Sequence, residues 1–99
     1  MQNMAIQNFD DKDTEDFFYD GIIRKGCGWM HVQRVAARKL DMVHTARRLR
    51  DLMAPPNNRL EALRGNLTGY HSIRINDQWR IVFRWTESGP ANVRICDYH

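Results

Sequence analysis

A cluster of arginines in the last third of the chain is suited to binding a phosphodiester. Strand alternation places these arginines on one face of a predicted sheet, together with two tyrosines: Arg74, Arg80, Arg84, Arg94, Tyr70 and Tyr98. Because a guanidinium binds two phosphate oxygens at once and aromatic rings stack on bases, such a face is typical of phosphodiester binding. The alternative is a face that an acidic segment of a partner protein covers.

The end of the chain adds groups that can transfer protons. Asp97, Tyr98 and His99 follow directly on the last predicted strand, which would hold them in place. An ordinary His pKa of ~6.5 suits proton transfer near neutral pH. Glu61 and Arg64 are further candidates in the segment ahead of the sheet, and the alternative for both is a turn of surface helix.

The other histidines and the two cysteines indicate neither a metal nor a cofactor. His71 alternates with apolar residues, which predicts a buried structural side chain. Cys27 and Cys96 fit no zinc spacing, and we expect both to be reduced thiols. Since the sequence also lacks a P-loop and a dinucleotide-binding glycine motif, we expect no cofactor and no bound metal.

Length and composition predict one folded domain over residues 1–99, with 42% hydrophobic and 27% charged residues. No run approaches the ~18 apolar residues that span a bilayer. The first eleven residues lack the basic start and apolar run of a signal peptide. The sequence therefore predicts a cytoplasmic protein that does not interact with a membrane.

Charge is strongly polarised along the chain. Residues 10–20 carry six acids and one Lys, and residues 24–50 carry eight bases and one acid, within a net charge of +3. This distribution predicts a polyanion or an acidic protein as partner. Arg38, Arg47 and Arg48 in the basic segment are candidate contacts, and the alternative is a solvated helix face.

The elements that must position these groups follow from hydrophobic periodicity. Residues 4–9 are predicted to form a short strand, and a short helix is predicted from Asp11 or Asp13 to about residue 19. Apolar residues at steps of three and four predict a long helix from about residue 30 to 53, which residues 55–58 end.

From residue 70 onward the period changes to two, which predicts strands. Asn76-Asp77 is predicted to turn the chain into a second strand, and residues 87–90 into a third. The result is a three-stranded antiparallel meander with an apolar face that holds Trp79, Phe83 and Trp85. Helices must cover that face, so the predicted fold class is an α+β sandwich.

Three stretches of this sequence resemble the HigB toxins of the RelE/ParE superfamily, and most of all their GraT-like branch. They are Asn-Arg-Leu-Glu-Ala-Leu-Arg-Gly-Asn at 58–66, Gly-Tyr-His-Ser-Ile-Arg-Ile-Asn-Asp-Gln-Trp-Arg-Ile-Val-Phe-Arg-Trp at 69–85, and the terminal Asp97-Tyr98-His99. The resemblance covers essentially the whole chain. It implies a RelE-like fold with a short N-terminal strand and two helices packed on a small antiparallel sheet.

The resemblance implies the toxin of a type II toxin–antitoxin system. Such a protein is expected to cleave mRNA in the ribosomal A site, which inhibits translation and growth. The expected protein partner is a helix-turn-helix antitoxin of the HigA type, and operator DNA is expected to be contacted only through that complex. The ribosome and mRNA are the expected targets.

Site residues are also implied. Asp97, Tyr98 and His99 match residues that line the active site of the family, and Arg80 matches its phosphate contact. Arg64 matches a basic residue ahead of the glycine in the linking loop. Some ribosome-dependent members have His at the position of Glu61, so this chain is expected to be weakly active or to use Glu61 as the base.

These residues fit metal-free RNA cleavage, in which the ribose 2′-OH attacks the adjacent phosphorus and leaves a 2′,3′-cyclic phosphate. Arg80 and Arg64 would stabilise the phosphorane, and His99 would donate the proton. Glu61 or Asp97 would act as the base or orient the histidine. The remaining cationic and aromatic candidates would bind RNA nearby: Arg74, Arg84, Arg94, Tyr70, Arg38, Arg47 and Arg48. Tyr98 would stack a base or position the 2′-OH.

Two other functions are open on the same fold. ParE-type relatives share the scaffold and poison DNA gyrase without cleaving RNA. A degenerate toxin would act only as a co-repressor with its antitoxin on operator DNA. The arginine face and the Asp97-Tyr98-His99 terminus favour the nuclease.

Overall fold

The computed structural model describes residues 5–97, in which two helices lie on a four-stranded antiparallel sheet. The elements are α1 (Lys12–Asp20), α2 (Gln33–Thr45), β1 (Glu61–Ala62), β2 (Tyr70–Arg74), β3 (Trp79–Thr86) and β4 (Gly89–Asp97). The strands are ordered β1-β2-β3-β4 across the sheet. This arrangement confirms the predicted α+β class. Within the described residues, none of the helices is long and apolar enough to cross a membrane.

Helix α1 begins and ends where the sequence predicts. The side chain of Asp11 accepts a hydrogen bond from the backbone N–H of Thr14 at 2.7 Å, which caps the first turn. Gly21 ends the helix with a left-handed φ of 69°, a conformation that glycine adopts at no steric cost. Phe17 then lies buried against Trp29, with ring centroids 4.8 Å apart.

The predicted long helix is wrong in its second half. Helix α2 ends at Thr45, Ala46 is extended, and the chain resumes as a 3₁₀ turn over Leu49–Met53. Asp51 causes the break, because its carboxylate accepts the backbone N–H groups of residues 47 and 48 at 3.1 and 3.0 Å. Both segments bury apolar side chains in one core, so the apolar stripe continues although the helix does not.

The predicted first strand is also absent between residues 5 and 9. The chain there forms one parallel bridge, Phe9 to Val93, beside the outer edge of β4. Val93 donates its N–H to the carbonyl of Asn8 at 3.1 Å and accepts from the N–H of Asp10 at 2.9 Å. The segment therefore covers the edge of the sheet, and Met4 lies outside the described residues.

The predicted meander is confirmed for β2, β3 and β4, and β1 is added to it. Ile73, Ile81 and Ile95 lie opposite one another and are buried against the helices. Glu87 and Ser88 form the second turn, whereas Gly89 and Pro90, predicted as turn residues, already belong to β4. A two-residue strand such as β1 has no alternation by which it could be recognised.

The turn between β2 and β3 is longer than the predicted Asn76-Asp77 pair. Residues 75–78 connect the strands, and Ile75 donates its N–H to the carbonyl of Trp79 at 2.9 Å. The side chain of Asn76 accepts from the N–H groups of Gln78 and Trp79 at 2.9 and 2.7 Å. This Asx-type turn closes the hairpin by a side-chain contact.

Strand β4 carries a bulge that sets the direction of its arginine. Val82 lies opposite Arg94, but two residues later Arg84 lies opposite Ala91, so β4 has one extra residue in this interval. Asn92 within it has a left-handed φ of 55°. Such a bulge re-aims side chains along the strand, and here it keeps Arg94 on the side of the sheet that faces away from the core.

Candidate nucleic-acid interface

The side of the sheet that faces away from the helices, named the polar face here, carries most of the predicted binding residues. Residues opposite one another on neighbouring strands share a face, so the register defines rows across the sheet. The rows are Glu61–Ser72–Val82–Arg94, then Arg74–Arg80–Cys96, then Tyr70–Arg84–Ala91. The structure thus brings the four predicted arginines and one tyrosine onto one surface and adds Glu61.

Arg80 is the most firmly held of these side chains. Its Nε donates to Ser72 Oγ and its Nη2 to the backbone carbonyl of Arg59, both at 2.7 Å. Glu61 Oε1 lies 4.0 Å from the same Nη2, and the Arg80 side chain is 13% exposed. The guanidinium is therefore fixed in direction, with a carboxylate beside it.

The pairing of β1 with β2 brings Glu61 to this position. Glu61 lies opposite Ser72, and the ladder continues with the N–H of Leu63 donating to the carbonyl of Tyr70 at 2.9 Å. The alternative of a surface helix turn is therefore wrong for Glu61. Ahead of it, Arg59 has a left-handed φ of 45°, and its carbonyl faces Arg80.

Arg64 lies at the same edge of the sheet, ahead of a 3₁₀ turn over Gly65–Leu67. An open cleft of about 550 Å³ is lined there by Glu61, Ala62, Leu63 and Arg64. Arg64 is exposed. The structure therefore places the predicted carboxylate and this second predicted cation along one cleft.

Arg74 lies directly opposite Arg80 and forms an ion pair with Asp77 of the hairpin turn. The hydrogen bond from Arg74 lowers the pKa of Asp77. Because the Asp77 carboxylate pairs with Arg74 of the same hairpin, it reduces the repulsion between the guanidinium groups of Arg74 and Arg80. Tyr70 and Arg84 form a separate contact point, ~13 Å from Arg80 along β3 at the usual rise per residue.

Arg94 and Cys96 complete the polar face on β4. The Nε of Arg94 is buried and has no hydrogen-bond partner among the described residues. Burial raises the pKa of the Cys96 thiol. Cys27 and Cys96 are both free cysteines, and burial raises the pKa of Cys27 as well, so both thiols are protonated at neutral pH. No group of three His, Cys, Asp or Glu side chains in residues 5–97 is placed to hold a metal.

Asp97 is not on the polar face. It lies opposite Trp79, and its Oδ2 accepts a hydrogen bond from Gln78 Nε2 at 2.9 Å. Neighbouring residues on a strand point to opposite faces, so Asp97 and Arg80 lie on different sides of the sheet. Tyr98 and His99 lie outside the described residues.

The three helical candidates also lie elsewhere. Arg38 is exposed on α2, and Arg47 and Arg48 are exposed in the segment that follows it. These elements cover the apolar side of the sheet, so the three arginines do not belong to the polar face. They form a second cationic region on the helical side.

His71 is half-buried on the apolar side, where its ring stacks on Phe83 at a centroid distance of 6.3 Å. Burial lowers its pKa, so the imidazole is neutral at pH 7. The prediction of a structural histidine agrees with this environment. Sequence reasoning missed the hydroxyl of Ser72 and the carbonyl of Arg59 as acceptors for Arg80. Alternation did place Ser72 on the right face, but nothing in the sequence signals a backbone carbonyl.

Comparison with known sequences gives a consistent result over most of the chain. Residues 7–99 match the family described as "RelE-like toxin of type II toxin-antitoxin system HigB". Toxin HigB-1 of Vibrio cholerae serotype O1 is 38% identical over 89 residues, which are 90% of this chain and 92% of that protein. An uncharacterized protein of Haemophilus influenzae is 36% identical over 69 residues, 70% of this chain and 67% of that protein.

Solved structures share the fold at lower sequence identity. The YoeB dimer from Staphylococcus aureus has a TM-score of 0.52 at 22% identity and covers 99% of this chain and 97% of its own. The YoeB/ParE toxin from Agrobacterium tumefaciens has a TM-score of 0.53 at 22% identity, covering 97% and 99%. YoeB in its heterotetrameric complex with YefM, also from S. aureus, has a TM-score of 0.52 at 21% identity, covering 100% and 98%. This likeness shows the fold.

Proposed function

The chain belongs to the HigB-like family of RelE-like toxins of type II toxin–antitoxin systems, and from that premise we propose that it is an endoribonuclease that cleaves mRNA on the ribosome. Cleavage there would inhibit translation and growth. The observation that carries the proposal is the position of Arg80, whose guanidinium is fixed by Ser72 and the Arg59 carbonyl beside the Glu61 carboxylate.

Arg80 contacts the scissile phosphate in this proposal. A cation that is already oriented stabilises the charge of the phosphorane without reorganisation during the reaction. Arg64 approaches the same phosphate from the cleft that it shares with Glu61. The other cationic and aromatic residues of the polar face bind the flanking nucleotides: Arg74, Arg84, Arg94 and Tyr70.

Glu61 is the base in this mechanism. It takes the proton of the ribose 2′-OH while the 2′-oxygen forms a bond to phosphorus and the bond from phosphorus to the 5′-oxygen breaks. His99 protonates the departing 5′-oxygen, and Tyr98 stacks the base or positions the 2′-OH. Asp97 lies on the opposite side of the sheet from Arg80, which favours a role in orienting the C-terminal residues over direct proton transfer. The mechanism uses no metal and no cofactor.

The ribosome supplies the positioning of the substrate. The cleft along Glu61 and Arg64 is open, so free RNA would bind weakly and with strong salt dependence. Correct orientation of the reacting groups accounts for a large part of the rate in such reactions. In this proposal Arg38, Arg47 and Arg48, which are exposed on the helical side, contact ribosomal RNA while mRNA lies on the polar face. The proposed site of action is therefore cytoplasmic.

The proposed protein partner is a HigA-type helix-turn-helix antitoxin, which would also carry the complex to operator DNA. The S. aureus YoeB structure that contains YefM supports partnership with an antitoxin in a protein of this fold. A strongly polarised charge distribution along the chain favours an oppositely charged partner segment.

Primer extension on ribosome-bound mRNA tests the proposed function. Wild-type protein is expected to give cuts in phase with codons, and Arg80→Ala is expected to reduce their rate at least ~100-fold, the scale for losing one preorganised donor. Arg34→Ala makes the same substitution on exposed α2 and is the matched control. Thermal unfolding followed by circular dichroism checks that both variants fold.

Intact mRNA after brief induction of the wild-type protein would overturn the nuclease assignment. DNA damage under the same conditions would indicate a gyrase poison. Growth without either effect would indicate a co-repressor that acts only with its antitoxin.

A further inference from the structure

Lys39 is a buried lysine that the proposed reaction does not use. Its residue is 2% exposed, and its ammonium donates to the side-chain oxygen of Asn58 and, at 3.4 Å, to that of Asn57. No carboxylate within residues 5–97 lies within 4.0 Å of it. Burying an ammonium whose acceptors are neutral amides costs folding free energy, so a role in positioning its neighbours explains this lysine better than a role in stability.

Asn58 links Lys39 to the surrounding backbone by hydrogen bonds. It is fully buried, and its Nδ2 donates to the carbonyls of Leu52 and Ala54 at 3.1 and 3.2 Å while its Oδ1 accepts from Lys39. All of these contacts fix one residue at the end of the 3₁₀ turn over Pro56–Asn58. The start of the next segment is therefore set from helix α2.

Arg59 is that next residue, and its backbone is held in a conformation that side chains rarely adopt. Its φ is 45° and its ψ is 55°, and its N–H donates to the carbonyl of Pro56 at 3.1 Å. A left-handed residue other than glycine persists when the surrounding structure holds it there. This conformation turns the Arg59 carbonyl toward Arg80, whose Nη2 donates a hydrogen bond to it at 2.7 Å.

We propose that Lys39 and Asn58 are positioning residues for Arg80, acting through the carbonyl of Arg59 across the layer between helix and sheet. The inference rests on the proposed function for its effect on catalysis. Neither residue contacts RNA in this arrangement. They fix one of the acceptors that orient the guanidinium, so their loss misdirects the cation without removing it.

Lys39→Met is the principal variant, because methionine keeps the length of the side chain and removes the donor to Asn58. The exchange leaves the buried Oδ1 of Asn58 without its donor, so a loss of stability is expected, and thermal unfolding checks that the variant folds. Lys25→Met removes the same charge at an exposed position and is the matched control. Lys39→Gln keeps one N–H donor for Asn58 and is the rescue variant.

Ribosome-dependent cleavage gives the first readout. We expect Lys39→Met to lower kcat about tenfold with little change in KM, since small misplacements of a catalytic group reduce rate more than binding. Lys25→Met and Lys39→Gln are expected to stay within about threefold of wild type on the same grounds. In an Arg80→Ala background Lys39→Met should cause no further loss, because coupled residues are not additive. An equal loss in both backgrounds would overturn the relay and mark Lys39 as generally structural.

The Nε–H resonance of Arg80, identified by its loss in Arg80→Ala, gives a second readout that needs no activity. Lys39→Met is expected to shift it and speed its exchange with water, and Lys25→Met is not. An unchanged resonance in Lys39→Met overturns the relay even if wild type cuts mRNA. A shifted resonance in a protein that cuts no mRNA sustains the relay and removes only the proposed reaction. If Lys39→Met does not fold, Asn58→Ser, whose short side chain cannot reach Lys39, replaces it in both readouts.

Discussion

Two charged clusters in this molecule use arginine in different ways. At α1, Asp16 accepts hydrogen bonds from both Lys12 and Arg24, so one carboxylate lies between two cations of neighbouring segments. On the polar face, Arg80 donates to a hydroxyl and to a backbone carbonyl. Those two acceptors are neutral and fix the direction of the guanidinium, and the Glu61 carboxylate lies 4.0 Å from its Nη2. The first cluster serves the fold, and the proposed function assigns the second to an anionic ligand.

This difference implies that stability and activity can be separated by mutation. Changes in the α1 cluster should lower the free energy of unfolding and leave cleavage intact. Changes on the polar face should act on RNA and leave unfolding nearly unchanged. A residue of one cluster whose substitution changed the property assigned to the other cluster would be reassigned to that other cluster.

The largest effect expected from a single side chain beside Arg80 is that of Glu61→Gln. Glutamine keeps the size and the polarity but cannot take the proton from the 2′-OH, so cleavage on the ribosome should fall ~10²-fold or more. Glu87→Gln in the turn between β3 and β4 is the matched control. Primer-extension rates check the prediction, and a Glu61→Gln rate within about threefold of wild type would assign the base to another residue.

A smaller effect is expected at the far row of the polar face. Arg84→Ala should weaken binding of a short single-stranded RNA and reduce the slope of log K against log salt by ~0.7, the value for one phosphate contact. Arg38→Ala, on the helical side, should leave that slope unchanged and lower only the affinity for ribosomes. Fluorescence anisotropy over a salt series measures the slope. Equal slopes in Arg84→Ala and wild type would remove Arg84 from the RNA surface.

The sequence predicts the parts of this fold that repeat with a clear period. The three long strands and α1 follow from alternation and from the Asp11 cap. The long helix fails as a prediction because its apolar stripe continues past Thr45, and only a side-chain contact of Asp51 with the backbone reveals the break. β1 has too few residues to show any period.

In the candidate site, too, the features that follow from a sequence period are predicted and the others are not. Alternation is enough to place Arg74, Arg80, Arg84 and Arg94 on one face, since their positions depend only on strand parity. The Arg59 carbonyl that accepts from Arg80 depends on a backbone conformation, and the Glu61 carboxylate beside Arg80 depends on the pairing of β1, so neither follows from strand parity. Residues that act through buried contacts, such as Lys39, appear in the sequence only as members of a basic helix.

The smallest expected effect lies at the α1 cluster and concerns stability alone. Hydrogen bonds from Lys12 and then Arg24 lower the pKa of Asp16 from its ordinary value of 3.8. A carboxylate whose pKa is lowered by folding adds stability above its unfolded pKa, and this stability is lost as the pH falls through the folded pKa. Asp16→Asn should therefore lower Tm at pH 7, and the difference from wild type should shrink below about pH 3.8.

Asp20→Asn is the matched control, because Asp20 is exposed at the C-terminal end of α1, where the helix dipole disfavours an acid. Its Tm at pH 7 should equal or slightly exceed that of wild type. Calorimetric melts between pH 3 and pH 7, set beside cleavage rates at pH 7, complete the comparison. If Asp16→Asn melted like wild type at pH 7 and cut mRNA more slowly, the α1 cluster would belong to the functional machinery, and the division between the two charged clusters would be wrong.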